Sequence, residues 1–149
     1  MTKLRDQVRA FHLEAGAPIL ETPTVPPDDR VKLRLKLAAE EFCELLTACG
    51  CGKYAVEDVW DRIRYVVEIA GTGPVDIVAV ADALADLDFV NEGMRLEFGI
   101  DGEPIADEVA RSNMSKFPTT VRADGKILKG PHYSPPDLVR VLREQGWSE

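Results

Sequence analysis

The chain has 149 residues, 45% of them hydrophobic and 30% charged, and a formal net charge of −8. That size and balance describe one domain able to bury a core and exclude wholesale disorder. The negative charge excludes a generic nucleic-acid coat, which needs Lys and Arg against phosphates. No apolar run approaches the roughly 18 residues that a membrane span requires.

The first segment places Leu4, Val8 and Phe11 at helical spacing, and Gly16, Ala17 and Pro18 close it. The opening residues Met1 to Asp6 carry no apolar stretch after their charges, so no secretory leader is expected. A loop with Pro18, Pro23, Pro26 and Pro27 follows. Asp28 or Asp29 is the expected N-cap of a second helix, whose apolar stripe runs Val31, Leu35, Ala38, Phe42 and Leu45. Cys49, Gly50, Cys51 and Gly52 should end it. With Cys43, the chain holds three cysteines. That odd count argues against a disulfide framework and for a reducing cytoplasm. Two thiols without a nearby histidine make a poor zinc site, so Cys49 and Cys51 read as a helix-ending turn.

A third helix is expected across Val56–Ala70, carried by Val59, Ile63, Val66 and Ile69. Gly71 to Pro74 lacks the ending of a phosphate-binding loop and reads as a helix connection, with Pro74 in the first turn of the next helix. That fourth helix, from about Val75 to Phe98, is the most apolar and should be the buried, central one. Pro104 opens a fifth helix through about Met114. Phe117 to Tyr133 is irregular, and Ser134 to Asp137 resembles a capping box for a short last helix. Strand-like alternation is scarce, so the fold class is all-α, a helical bundle.

Charge is unevenly placed along this chain. Residues 1–110 hold 11 basic and 22 acidic side chains, whereas residues 111–149 hold 7 and 4. An acidic body with a basic tail suits a metal–phosphate site, and equally suits an acidic, soluble surface with a cluster of lysines. At about 100° per residue, Glu41 and Glu44 share one helix face with Glu40 on its flank. Such an acidic run is by default a solvated face. Asp82, Asp86 and Asp88, however, interrupt the stretch expected to be buried, where an unpaired carboxylate is expensive. Asp82 and Asp86 lie four apart on one face; Asp88 points roughly 160° away from Asp86. Carboxylates on two core helices build oxygen-ligand sites for hard ions such as Mg²⁺ or Mn²⁺. A di-iron centre would need Glu-x-x-His pairs, and the two histidines, His12 and His132, lie in none. In the tail, Lys116, Lys126 and Lys129 are of the type that binds phosphate, and Asn113 can read a ribose or base edge. Taken alone, Lys126 and Lys129 could equally decorate a turn at Asp124 and Gly125.

Glu40-Glu41-x-x-Glu44 followed by a helix carrying Ala85-Asp86 resembles the all-α nucleoside triphosphate pyrophosphohydrolases. That superfamily includes MazG-like proteins, dimeric dUTPases and phosphoribosyl-ATP pyrophosphohydrolases. Phe11-His12 with Gly16 and Pro18, the run Ala81 to Asp86, Ser112 to Lys116 and Ala123 to Lys126 are similar to short MazG-like proteins of bacteria and their phages. The likeness covers most of the chain. It implies a MazG-like bundle of four to six helices completed by oligomerisation, as a homodimer or homotetramer. One domain would span 1–149, with a helical bundle at 1–115 and a basic substrate-binding tail at 116–149. The family motif pairs Glu-x-x-Glu with a later Glu-x-x-Asp; here Ala83 stands at the second Glu, and Asp82 is the expected substitute.

The resemblance implies a metal-dependent hydrolase that cleaves a nucleoside triphosphate, ribo or deoxyribo, to the monophosphate and pyrophosphate, in nucleotide-pool control. Glu41, Glu44, Asp82 and Asp86 would hold two or three Mg²⁺ or Mn²⁺ ions, and Glu40 would deprotonate or orient the attacking water. Lys116, Lys126 and Lys129 would face phosphates and Asn113 the nucleoside. The partner implied is a nucleoside triphosphate, with no nucleic acid and no membrane. dUTP and a purine such as dGTP both fit; phosphoribosyl-ATP fits less well, because that branch lacks the Asp-Gly-Lys tail pattern. A different class, a catalytically idle helical module that binds nucleotide or protein, is favoured only by Ala83.

Overall fold

Six α-helices organise the computed structural model, which describes residues 3–69, 73–123 and 125–148. They are α1 (Lys3–Glu14), α2 (Asp28–Ala48), α3 (Lys53–Glu68), α4 (Ile77–Phe98), α5 (Gly102–Met114) and α6 (Leu138–Glu144). Among the described residues the only strand-like pairing is one antiparallel bridge between Val121 and Ile127. The fold is all-α, as the scarcity of alternating patterns predicts. None of the described helices is long and apolar enough to cross a membrane. The chain forms two compact units: Thr24–Ile77, and the residues up to Pro23 together with Val78–Glu149.

The first of these units is the α2–α3 pair. Pro27, not Asp28 or Asp29, occupies the N-cap of α2, with φ −54° and no side-chain cap. Its carbonyl accepts from Arg30 N and Val31 N at 2.9 and 3.1 Å. Asp28 sits inside the first turn and pairs with Lys32 at 2.7 Å. The proline ring already holds the dihedral that a cap would select, and the displaced acids still favour the positive end of the helix. At the other end the chain turns through Gly50, whose φ of +88° suits a residue without a side chain. Gly50 N donates to Thr47 O and Cys51 N to Leu46 O, both at 3.0 Å, which satisfies two carbonyls the helix leaves open.

The core of this unit corrects the expected stripe. Leu33, Ala39 and Cys43 of α2 are buried with Val56 and Val67 of α3, whereas Leu35, Phe42 and Leu45 remain exposed. Phe42 lies about 100° round the helix from Cys43. α2 is apolar over more of its circumference than one neighbour can cover, so periodicity alone could not choose the face. Val66 on α3 and Ile69, its C-cap, are likewise exposed. That helix starts at Lys53, three residues before the expected Val56, and the expected end at Ala70 lies outside the described residues. Lys36 Nζ reaches Glu68 Oε1 at 2.6 Å and ties α2 to α3.

In the second unit α5 is the hub. Lys3 Nζ of α1 donates to Asp107 at 2.6 Å and to Glu103 at 3.2 Å, and Gln7 donates to Asp107 at 2.7 Å. Those bonds from Lys3 and Gln7 hold the Asp107 carboxyl below its ordinary pKa. The start of α5 is fastened to the end of α6: Asp101 N donates to Gln145 Oε1 at 2.9 Å, and Gln145 Nε2 to Asp101 O at 3.1 Å. α5 is capped by Asp101, whose side chain accepts from Glu103 N, so Pro104 is the third residue of the first turn rather than the opening one. α6 is capped by Asp137, which accepts from Arg140 N. Ser134 is therefore not the cap. Its carbonyl accepts from the hydroxyls of Ser112 and Ser115 at 2.9 and 3.2 Å, which pins the approach to α6 onto α5.

α4 departs most from expectation. It begins at Ile77, so Pro74 precedes the helix instead of opening it, and no residue of α4 is buried. Val78 is 76% exposed, Leu84 58%, Phe89 81% and Val90 59%. Composition states that such a helix favours being covered; it does not state by what. The connection before α4 includes residues 71 and 72, which lie outside the described residues.

Candidate functional site

The acids named from the sequence occupy two helices, one in each unit. On α2, Glu41 and Glu44 are exposed and Glu40 is half-buried, one helical step round from Glu41. Glu44 borders a cleft of 380 Å³ whose other walls are Cys43, Thr47, Ala48 and Val56. Its lining is almost wholly apolar apart from that carboxylate. On α4, Asp82 and Asp86 are exposed on one face, one turn apart.

Exposure overturns the argument that made the α4 acids conspicuous, because in the single chain they meet no desolvation cost. What remains is their chemistry. None of the side chains of Glu41, Glu44, Asp82 and Asp86 has a hydrogen bond or ion pair among the described residues, although α2 and α3 carry several i,i+3 and i,i+4 pairs. All four therefore keep their oxygen lone pairs available. An all-carboxylate donor set fits Mg²⁺ or Mn²⁺ and fits poorly with softer ions. Among the described residues no three His, Cys, Asp or Glu side chains gather as a ready cage.

The tail residues are assembled around the end of α5. Asn113 is in its last turn, and Lys116 Nζ donates to Asn113 Oδ1 at 2.7 Å. The same ammonium lies 5.9 Å from the ring centroid of Phe11. Phe11 in turn packs against Phe117, with centroids 5.2 Å apart and rings inclined by 56°. His12 contacts the Pro18 carbonyl at 3.1 Å; because a carbonyl only accepts, Nδ1 carries the proton. Phe11, His12 and Pro18 are thus three parts of one α1 terminus beside Asn113 and Lys116.

Lys126 and Lys129 follow on the irregular segment. Arg122 N donates to Lys126 O at 2.9 Å and Leu128 N to Thr120 O at 3.2 Å, so the lysines flank a small hairpin-like turn. Its tip at Asp124 lies outside the described residues. Lys129 Nζ sits 4.5 Å above the Tyr133 ring. The turn is held to α5 at Gly130, whose N–H donates to Lys116 O at 3.0 Å. A Cβ there would meet Pro118 O and Lys116 O at 2.2 and 2.3 Å, so only glycine allows this approach. Asn113, Lys116 and Lys129 are in this way brought into one neighbourhood by backbone contacts.

The sequence reading missed a second polar centre. Glu108 of α5 is buried and accepts from Arg111 through both Nε and a terminal nitrogen, at 2.8 to 3.1 Å. It also accepts from Asp137 N at 2.8 Å, and Arg140 stands 3.6 Å away. The Arg111 bonds and the Asp137 amide lower its pKa to about 2. The only hint in the sequence is the Glu108–Arg111 spacing of three, which marks a surface pair as readily as a buried one. This centre docks α6 on α5; it touches none of the residues assigned to substrate.

The comparisons with known proteins fall in line with this architecture. A family model described as phosphoribosyl-ATP pyrophosphohydrolase matches residues 8–113. Among solved structures, the chain is similar to a candidate NTP pyrophosphohydrolase from Exiguobacterium sp. 255-15. The two share 25% sequence identity and a TM-score of 0.70, over 97% of this chain and 98% of that one. No curated protein matches.

Proposed function

The chain belongs to the phosphoribosyl-ATP pyrophosphohydrolase family, and from that premise we propose that it hydrolyses a nucleoside triphosphate to the monophosphate and pyrophosphate. The carrying observation is the family match, which spans both acidic helices, together with four carboxylates left without protein partners among the described residues. We assign metal-ligating roles to Glu41 and Glu44 on α2 and to Asp82 and Asp86 on α4, with Asp82 serving where Ala83 cannot. Bound Mg²⁺ or Mn²⁺ would neutralise triphosphate charge and make water more acidic.

The chain's own residues then divide the remaining work. Glu40, half-buried beside Glu41, orients the attacking water and takes its proton. Lys116, Lys126 and Lys129 offer ammonium groups to phosphate oxygens, and Asn113 contacts the nucleoside. The matched span stops at residue 113, so the three lysines lie beyond it. The Asp124-Gly125-Lys126 tail pattern, which the resemblance sets apart from the phosphoribosyl-ATP branch, makes dUTP or a purine dNTP the first choices, with nucleotide-pool control as the role. Three free cysteines agree with a cytoplasmic setting.

The test is pyrophosphate release from a panel of dNTPs and dUTP with Mg²⁺ or Mn²⁺. Release should occur for at least one nucleotide and stop when EDTA removes the metal. No release from any nucleotide at high enzyme concentration would show the chain to be an idle helical module instead.

α4 supports a homo-oligomer as part of the same proposal. A helix whose large apolar residues, Val78, Leu84, Phe89 and Val90 among them, are exposed in the single chain gains by burying them against a second copy, at about 25 cal/mol per Å² of apolar surface removed from water. Sedimentation should show a dimer or tetramer, and Leu84→Glu with Phe89→Glu should shift it to smaller species. A monomer in the unmodified protein at micromolar concentration contradicts this part.

A further inference from the structure

Asn113 is assigned above to the nucleoside, and the selectivity inferred for it rests on that reading. A carboxamide has a donor end and an acceptor end, so asparagine alone can read either kind of base edge. Here a neighbour removes the choice. The Lys116 ammonium has donors only and stands 2.7 Å from Asn113, so the atom facing it is the carbonyl oxygen Oδ1. The same Nζ lies 5.9 Å from the Phe11 ring centroid, a second weak attraction on that side. The NH₂ end of Asn113 therefore points away from Lys116, and it has no hydrogen bond among the described residues. Phe11 and Phe117, both half-buried, supply aromatic surface beside the pair on which a base can stack.

A fixed NH₂ donor matches a ring carbonyl and opposes an amino group, where donor would face donor. We propose that Asn113, held in orientation by Lys116, makes the site select bases with an exocyclic carbonyl at the reading edge, guanine or uracil and thymine, over adenine and cytosine. Asn113 contacts the base; Lys116 acts on selectivity as a positioning residue.

Two paired comparisons isolate the effect, guanine against adenine and uracil against cytosine. They are read as kcat/KM for the triphosphates and as equilibrium binding of dGMP, dAMP, dUMP and dCMP by calorimetry. The keto member of each pair should be favoured by about tenfold, the worth of one hydrogen bond made or opposed. Asn113→Asp keeps one oxygen on Lys116 and turns an acceptor to the base, so the preference should invert. Lys116→Met frees the amide to rotate and present either end, so the ratio should fall towards one, on top of any loss of phosphate contact, which both members share. Asn113→Ala serves if the Asp variant melts abnormally, and should flatten the ratio. Pyrophosphate release without a keto preference, or a preference unmoved by the Asn113 variants, overturns the inference and leaves the hydrolase reading standing. If no triphosphate is cleaved, the hydrolase reading fails, and monophosphate binding alone decides: a keto preference lost in the Asn113 variants upholds the inference, and equal binding overturns it.

Discussion

Replacing Glu44 by Gln, or Asp86 by Asn, is expected to abolish pyrophosphate release while leaving the thermal melting curve unchanged. Each substitution keeps size and removes one negative charge from a group proposed to ligate metal. Changes to groups that merely orient a metal ligand cost 10–100-fold, so loss of a ligand should cost roughly 100-fold or more in kcat. Folding should tolerate both, because the two side chains are exposed and hold no hydrogen bond or ion pair among the described residues. Removing a like charge beside Glu40 and Glu41 would, if anything, relieve repulsion along α2. The measurement is steady-state turnover with saturating Mg²⁺ alongside circular dichroism melts. Near-normal turnover in either variant removes that residue from the ligand set. The same assay on Asp82→Asn decides whether Asp82 does replace the acid missing at Ala83.

Glu108→Gln should act in the opposite way, destabilising the protein first and affecting activity only as a consequence. Glu108 is buried among Arg111, Arg140 and the Asp137 amide, and glutamine cannot accept from the Arg111 fork with two charged oxygens. Asp137 is also the cap of α6, so replacing the charged acceptor of its amide by a neutral one loosens that seven-residue helix. The melting temperature should fall by several degrees. A pH dependence accompanies it. The folded-state pKa, about 2, lies below the ordinary 4.5 of an unfolded glutamate, so the fold favours the charged form. That contribution is fully present above pH of about 4.5 and is lost as the pH falls from there towards 2. Between those limits the unmodified protein should lose its advantage over Glu108→Gln, measured as converging urea midpoints. A variant as stable as the parent at neutral pH would show that the Arg–Glu centre contributes nothing net.

These two expectations come from residues that were unequally visible beforehand. Glu44 and Asp86 stand out because the proposed metal site would demand a fixed chemistry at a fixed helical spacing, and spacing is written directly in the sequence. Glu108 does not, since its partners Arg140 and the Asp137 amide lie about thirty residues away and meet it only when α6 folds back. The same distinction explains the cap of α6. Ser134 and Asp137 are both good capping residues, and the bonds from Ser112 and Ser115 to the Ser134 carbonyl settle which one is used.

What the amino-acid order determines by itself is local. The all-α class, the positions of most helices, the turn at Gly50 and the acidic pairs on α2 and α4 all follow from spacing, glycine freedom and side-chain chemistry. What only the tertiary structure decides is which faces are covered and which polar groups meet. Leu33 and Cys43 are buried while Phe42 and Leu45, on the stripe that the spacing marks, are exposed. α4, the most apolar helix, has no buried residue in the single chain. The amide of Asn113 takes its orientation from Lys116. Burial and pairing depend on neighbours, and a neighbour is a property of the folded chain, or of a second copy of it, rather than of any one segment.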